Sequence, residues 1–203
     1  MQEKETILFF HGWGLSPYSY KKILTKLSEY YNVISPKINH LDYKNDLKKL
    51  SDRINCKVIV VSHSAGSIPA EEFTKKYPSK VRRIVLLNPT GFSEKSLLAW
   101  FVSWLMHLVT VGAKHPRISS RIALDFFRTS ILHPQKAINS GIKLVNTKLN
   151  SLDNKTLAIF ATNDNLVSLP TKGNVVKFEV IPGDHYWAFT DTKRLIDILK
   201  AKH

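Results

Sequence analysis

A serine hydroxyl becomes a useful nucleophile when a base takes its proton and a third group orients that base. Ser64 is placed to be such a serine. It lies in Val61-Ser62-His63-Ser64-Ala65-Gly66, directly after the apolar run Cys56–Val60 and directly before a stretch of helical pattern. A tight turn between strand and helix would hold its hydroxyl clear of the sheet, and the small Ser62 and Gly66 meet the steric demand of that turn. Taken alone, Ser64 reads equally well as a structural serine in a loop.

Two further positions bear on the choice. His185, in Ile181-Pro182-Gly183-Asp184-His185, is the candidate base, and Asp164, in Asn163-Asp164-Asn165, is the candidate acid. Each follows a run read as a strand, and the order Ser64, Asp164, His185 is the one expected on a parallel sheet with this kind of turn. The competing readings are an Asx turn at Asp164 and a turn histidine packed on Trp187 at His185. Asp184 adjoins His185 but would point elsewhere, and Asn88, at another strand end, cannot ionise. Attack on a carbonyl also requires donors for the developing oxyanion. The N–H of Ala65, next after Ser64, is one candidate. The N–H of Trp13, in His11-Gly12-Trp13-Gly14, is the other, its glycines allowing close backbone approach. The Trp13 indole would wall the site or, alternatively, cover the sheet edge.

The elements that must position these residues alternate between strand and helix. Thr6–Phe10, Val33–Ser35, Val58–Val61, Arg83–Asn88, Thr156–Thr162 and Val176–Ile181 read as strands. Ser16-Pro17 reads as the N-cap and first position of a helix reaching Tyr30. Leu41, Leu47, Leu50 and Ile54 share one helical face. Further helices are expected over Ala65–Tyr77 and after Thr190 or Asp191. Alternation of this kind argues for a doubly wound parallel α/β sheet, which binds ligands beyond the carboxyl ends of its strands. Phe92–Leu152 breaks the rhythm with a helical pattern and no strand.

At 203 residues the chain is long enough for one domain with an inserted element. The N-terminus shows no secretory signal pattern. Cys56 is the single cysteine, which excludes an intramolecular disulfide, fits a reducing, cytoplasmic compartment, and is expected to be a buried thiol. The formal charge of +14 favours acidic partners, but the lysines are dispersed and no nucleic-acid motif is present, so no nucleic acid is expected as a partner. His107, His115 and His133 have no metal-ligand spacing, so no metal site is expected.

The motifs HGWG, SHSAG, NDNLV and GDH, in that order, resemble those of the α/β-hydrolase superfamily, over a span from about Thr6 onward. The HGWG start is similar to that of small carboxylesterases, including those acting on pimeloyl-carrier methyl esters. The resemblance implies an α/β-hydrolase fold with a reduced parallel sheet of about six strands, because the first two strands of the family are absent. It implies helices on both faces, a core of residues 1–90 and 153–203, and a helical lid over 91–152. Ser64 would be the nucleophile, His185 the base, Asp164 the acid, and Trp13 with Ala65 the oxyanion hole. Ser62 departs from the family, standing where a glycine is usual. A serine at the elbow, rather than an aspartate, argues against dehalogenase or epoxide hydrolase chemistry.

The reaction implied is hydrolysis of a small-molecule acyl ester through an acyl-enzyme, with no cofactor. Other readings are a thioesterase or carrier-ester hydrolase whose positive surface docks an acidic acyl carrier protein, a small peptidase, and a non-catalytic binding protein on the same fold. Ser96–Ala113 is eighteen residues without a charge. A membrane span there would part Ser64 from Asp164 and His185, so no transmembrane span is expected. Peripheral membrane contact stays open, since Phe92–Leu152 holds eight Lys/Arg against two Asp/Glu.

Overall fold

The computed structural model describes residues 4–40, 42–92, 116–149, 155–169 and 177–201, together with Ala99, Val102, Ser103, Met106, Thr110 and Ala113, which are helical. Its centre is a six-stranded sheet. The strands are β1 (Thr6–Phe10), β2 (Asn32–Ile34), β3 (Val58–His63), β4 (Val81–Leu87), β5 (Thr156–Ala161) and β6 (Phe178–Ile181). They run in the order β2-β1-β3-β4-β5-β6, and every neighbouring pair is parallel. The expected fold class is therefore the observed one, with all six expected strands within two residues of their places where described. Val176, at the start of the last expected strand, lies outside the described residues, as do Leu41, His107, His115 and most of Ser96–Ala113.

The sheet is covered on both faces, and strand alternation decides which side chain meets which cover. Ile7 and Phe9 of β1, with Ile59, Val61, Val85, Leu157 and Ile159, pack against α1 (Lys21–Ser28) and the C-terminal helices α6 (Trp187–Thr190) and α7 (Thr192–Lys200). Leu8 and Phe10, with Val58, Val60, Leu86, Ala158 and Phe160, pack against α2 (Lys44–Arg53) and α3 (Ser67–Lys76). Every residue of β3 and β5 is buried, which is why both read as unbroken apolar runs rather than alternating ones. Between β4 and β5 lie α4 (Pro116–Phe126) and α5 (Pro134–Asn146).

Two expectations need correction. The first helix starts at Lys21, not at Pro17: the Ser16 hydroxyl accepts the Tyr18 amide (3.3 Å) while donating to the Asp125 carboxylate, but the backbone from Ser16 to Lys21 closes successive three-residue turns rather than an α-helix. Cys56 is exposed rather than buried, since it precedes β3 in the turn at the amino edge of the sheet, where its thiol meets the Thr6 hydroxyl. Among the described residues no helix is long and apolar enough to cross a membrane.

Candidate active site

The turn after β3 is tight because two backbones must pass within contact of one another. Ser64 adopts φ +52°, in the left-handed region that costs an L-residue free energy and is held only by surrounding structure. The chain then enters a short 3-10 turn, Ser64–Gly66, and continues as α3. A Cβ on Gly66 would lie 2.4 Å from the Phe10 oxygen and 2.7 Å from the His11 oxygen, so glycine is needed there. Ser62 occupies a fully buried position, 0% exposed, and its hydroxyl has no hydrogen-bond partner among the described residues. A side chain of serine size therefore fits where glycine is usual, at the cost of a buried unpaired polar atom.

Asp164 and His185 meet at the carboxyl ends of β5 and β6. The Nδ1 of His185 lies 2.7 Å from Oδ2 of Asp164, and both side chains are 3% exposed. The other carboxylate oxygen of Asp164 accepts the amides of Leu166 (2.8 Å) and Val167 (3.0 Å), so the Asx turn exists as well and serves to aim the free oxygen at His185. Burial pushes the Asp164 pKa upward, but His185 and the two amides outweigh it and hold the carboxyl below its ordinary value. Asp184 instead accepts the amide of Tyr186.

A second set of contacts fixes the backbone of His185. Its carbonyl oxygen accepts from Nε2 of His63 (2.9 Å) and from Nδ2 of Asn88 (3.1 Å). Asn88 sits at φ +43° and uses its side-chain oxygen to accept from the Ala161 amide (2.9 Å), joining the ends of β4, β5 and β6. A carbonyl only accepts, so Nε2 of His63 carries a proton. Its Nδ1 lies 2.7 Å from the Tyr20 hydroxyl, which also receives the Gly12 amide at 3.0 Å. Burial raises the Tyr20 pKa well above its ordinary value, so the hydroxyl keeps its proton and donates it to Nδ1. The chain Gly12 N–H, Tyr20 O–H, His63 N–H, His185 C=O thus runs in one direction through a neutral His63.

Trp13 lies in the loop after β1. Its indole Nε1 donates to the Ser140 hydroxyl on α5 (2.7 Å), and its ring meets Phe126 edge-on at 5.6 Å. The same loop is tied to α4 by Asp125, which is 4% exposed. Its carboxylate accepts from the Ser16 amide (2.7 Å), the Ser16 hydroxyl (2.8 Å) and the Ser19 hydroxyl (2.8 Å). Gly12, Trp13, Ser64, Ala65, His185 and Leu144 all line one cavity of about 40 Å³.

The structure thus brings Ser64, Ala65, Trp13 and His185 to one cavity, with Asp164 bonded to His185. Sequence reasoning missed Tyr20, His63, Asn88, Asp125 and Ser140 as members of this site. His63 carried a signal, a polar residue at the last position of a buried strand beside the candidate nucleophile. Asn88 carried another at its strand end. Tyr20, Asp125 and Ser140 lie on helices or in turns remote in sequence and carried none. Of the three histidines set aside as metal ligands, His133 is exposed at the start of α5.

No protein-family model matches the sequence, and no curated protein matches it. The fold does have relatives among solved structures. A hydrolase from Pseudomonas aeruginosa superposes with a TM-score of 0.76 at 13% identity, covering 98% of this chain and 91% of that one. A thermophilic esterase from Thermogutta terrifontis gives 0.74 at 16%, covering 98% and 89%. An enol-lactonase from Burkholderia xenovorans gives 0.71 at 16%, covering 98% and 93%.

Proposed function

The chain has the α/β-hydrolase fold, and on it we propose a serine esterase that cleaves a carboxylic ester through Ser64, His185 and Asp164. The observation that supports this most directly is the 2.7 Å bond from His185 to Asp164 at the wall of the cavity that also holds the strained elbow of Ser64. In this reading His185 takes the Ser64 proton as the hydroxyl oxygen attacks the ester carbonyl. The amides of Ala65 and Trp13 receive the charge that develops on the carbonyl oxygen. His185 then gives the proton to the departing alcohol as the carbon–oxygen bond breaks, leaving an acyl group on Ser64. Water, deprotonated by the same imidazole, releases the acid and restores the serine. Asp164 keeps Nδ1 protonated and stabilises the imidazolium. The fold would work as a core of residues 1–90 and 153–203 under a lid of 91–152, in the cytoplasm.

Labelling with a fluorophosphonate probe, followed by a panel of 4-nitrophenyl esters, tests the reading. Wild type is expected to label and to turn over at least one ester, and folded Ser64→Ala to do neither. Equal labelling of the two proteins would remove Ser64 from the scheme.

A further inference from the structure

On the other side of Trp13 lies a larger cavity, of about 370 Å³. The two cavities adjoin, since Trp13 and Leu15 line both. The helix α5 also spans them, Ser140 lining the larger and Leu144, one turn on, the smaller. A substrate with its carbonyl at Ser64 and a chain running past the Trp13 indole would therefore place its far end in the larger cavity.

That cavity is not an apolar channel. Lys37, Arg128 and Lys136 line it, and none of the three makes an ion pair among the described residues. Asp46 is the single carboxylate among its described lining residues. His40, also in the lining, is held neutral: burial, with His11 beside it, pushes its pKa down to about 3. Three like charges lining one concavity repel one another and together make its potential positive, even though each is exposed. Such an arrangement is relieved by an anion.

Resting on the ester reading above, we propose that the substrate carries a negatively charged group, a carboxylate or a phosphate, away from the scissile ester, and that Lys37, Arg128 and Lys136 hold it. Guanidinium and ammonium groups both recognise either oxyanion, so the shared chemistry is what the cavity selects.

Binding can be measured without turnover, by titrating the whole protein with glutarate, glycerol 1-phosphate and the uncharged 1,5-pentanediol. One arm uses Arg128→Gln/Lys136→Gln. The control is Lys57→Gln/Lys177→Gln, which removes the same charge from the amino ends of β3 and β6, at the opposite edge of the sheet. At least one anion is expected to bind wild type and the control alike, and the first double variant about tenfold more weakly, as the loss of two exposed charge-assisted contacts would give. The tighter anion identifies the source. Equal binding of the diol, equal weakening in both double variants, or no anion binding at all would overturn the proposal. Loss of the anion site leaves fluorophosphonate labelling of Ser64 in place, and a failed label leaves the titration intact, so the two readings fail separately.

Discussion

The Nε2 of His63 lies 2.9 Å from the backbone oxygen of His185, one residue before the candidate nucleophile on one side and at the candidate base on the other. Through Tyr20 the same ring reaches the Gly12 amide, so His185 and the loop after β1 share one line of hydrogen bonds. Tyr20→Phe removes the middle of that line and takes the hydroxyl away from both the Gly12 amide and Nδ1 of His63. We expect a loss of about 1–3 kcal/mol in urea unfolding. We also expect kcat to fall by about tenfold with little change in KM, because the base is misplaced rather than the substrate released. A KM effect alone would show that Tyr20 acts on binding.

Asp164 supplies a pH signature. Its folded pKa lies below the ordinary carboxylate value, so the stability it contributes is complete above the unfolded pKa of about 4 and is lost as pH falls through the folded value. Asp164→Asn has no such dependence. The stability gap between wild type and variant, from urea midpoints, should therefore be widest at pH 6–7 and shrink below about pH 4. A gap constant over that range would show that the carboxylate is not held ionised by its partners. The same variant should lower kcat by about 10³–10⁴-fold through the wrong imidazole tautomer.

The positive φ of Ser64 predicts a conflict between stability and chemistry. Ser64→Ala keeps a Cβ in the left-handed conformation, whereas Ser64→Gly does not. Both are expected to be inactive, with the glycine variant the more stable by about 1 kcal/mol in thermal or urea unfolding. An alanine variant as stable as the glycine one would show that the elbow is not strained.

Asp125 gathers two hydroxyls and an amide in a buried place, all from the loop and turns after β1. Asp125→Ala leaves those donors unpaired and should cost about 3 kcal/mol or more. If the carboxylate holds the loop for the reaction, kcat should fall further than the change in folded fraction explains, measured below the melting transition.

The fold was legible because its strands announce themselves: Val58–Val61 and Thr156–Ala161 are apolar on both faces, as only a covered parallel sheet requires. The strand ends were legible for the same reason, and they put Ser64, Asp164 and His185 on one edge. The supporting contacts were not. Asp125 lies on a helix whose apolar face gives no hint that one carboxylate turns toward Ser16, 109 positions away. Tyr20 looks like any core aromatic, and its hydroxyl matters only through what stands opposite. Ser16 misled for a related reason: its hydroxyl does accept the Tyr18 amide as a cap would, but the turns that follow close on three residues and no helix begins there. The exposure of Cys56 could not be read from the apolar strand that follows it, because the residues before a strand's start belong to the rim of the sheet.

The order of synthesis gives the Asp125 contact a further meaning. Ser64 and its turn emerge with the first three strands, long before α4 brings the carboxylate that ties down Ser16 and Ser19. His185 and Asp164 follow later still, from the ends of the last two strands. On the proposed reading, a partly made chain would carry Ser64 beside an untethered loop and without His185, chemically silent until the later elements dock.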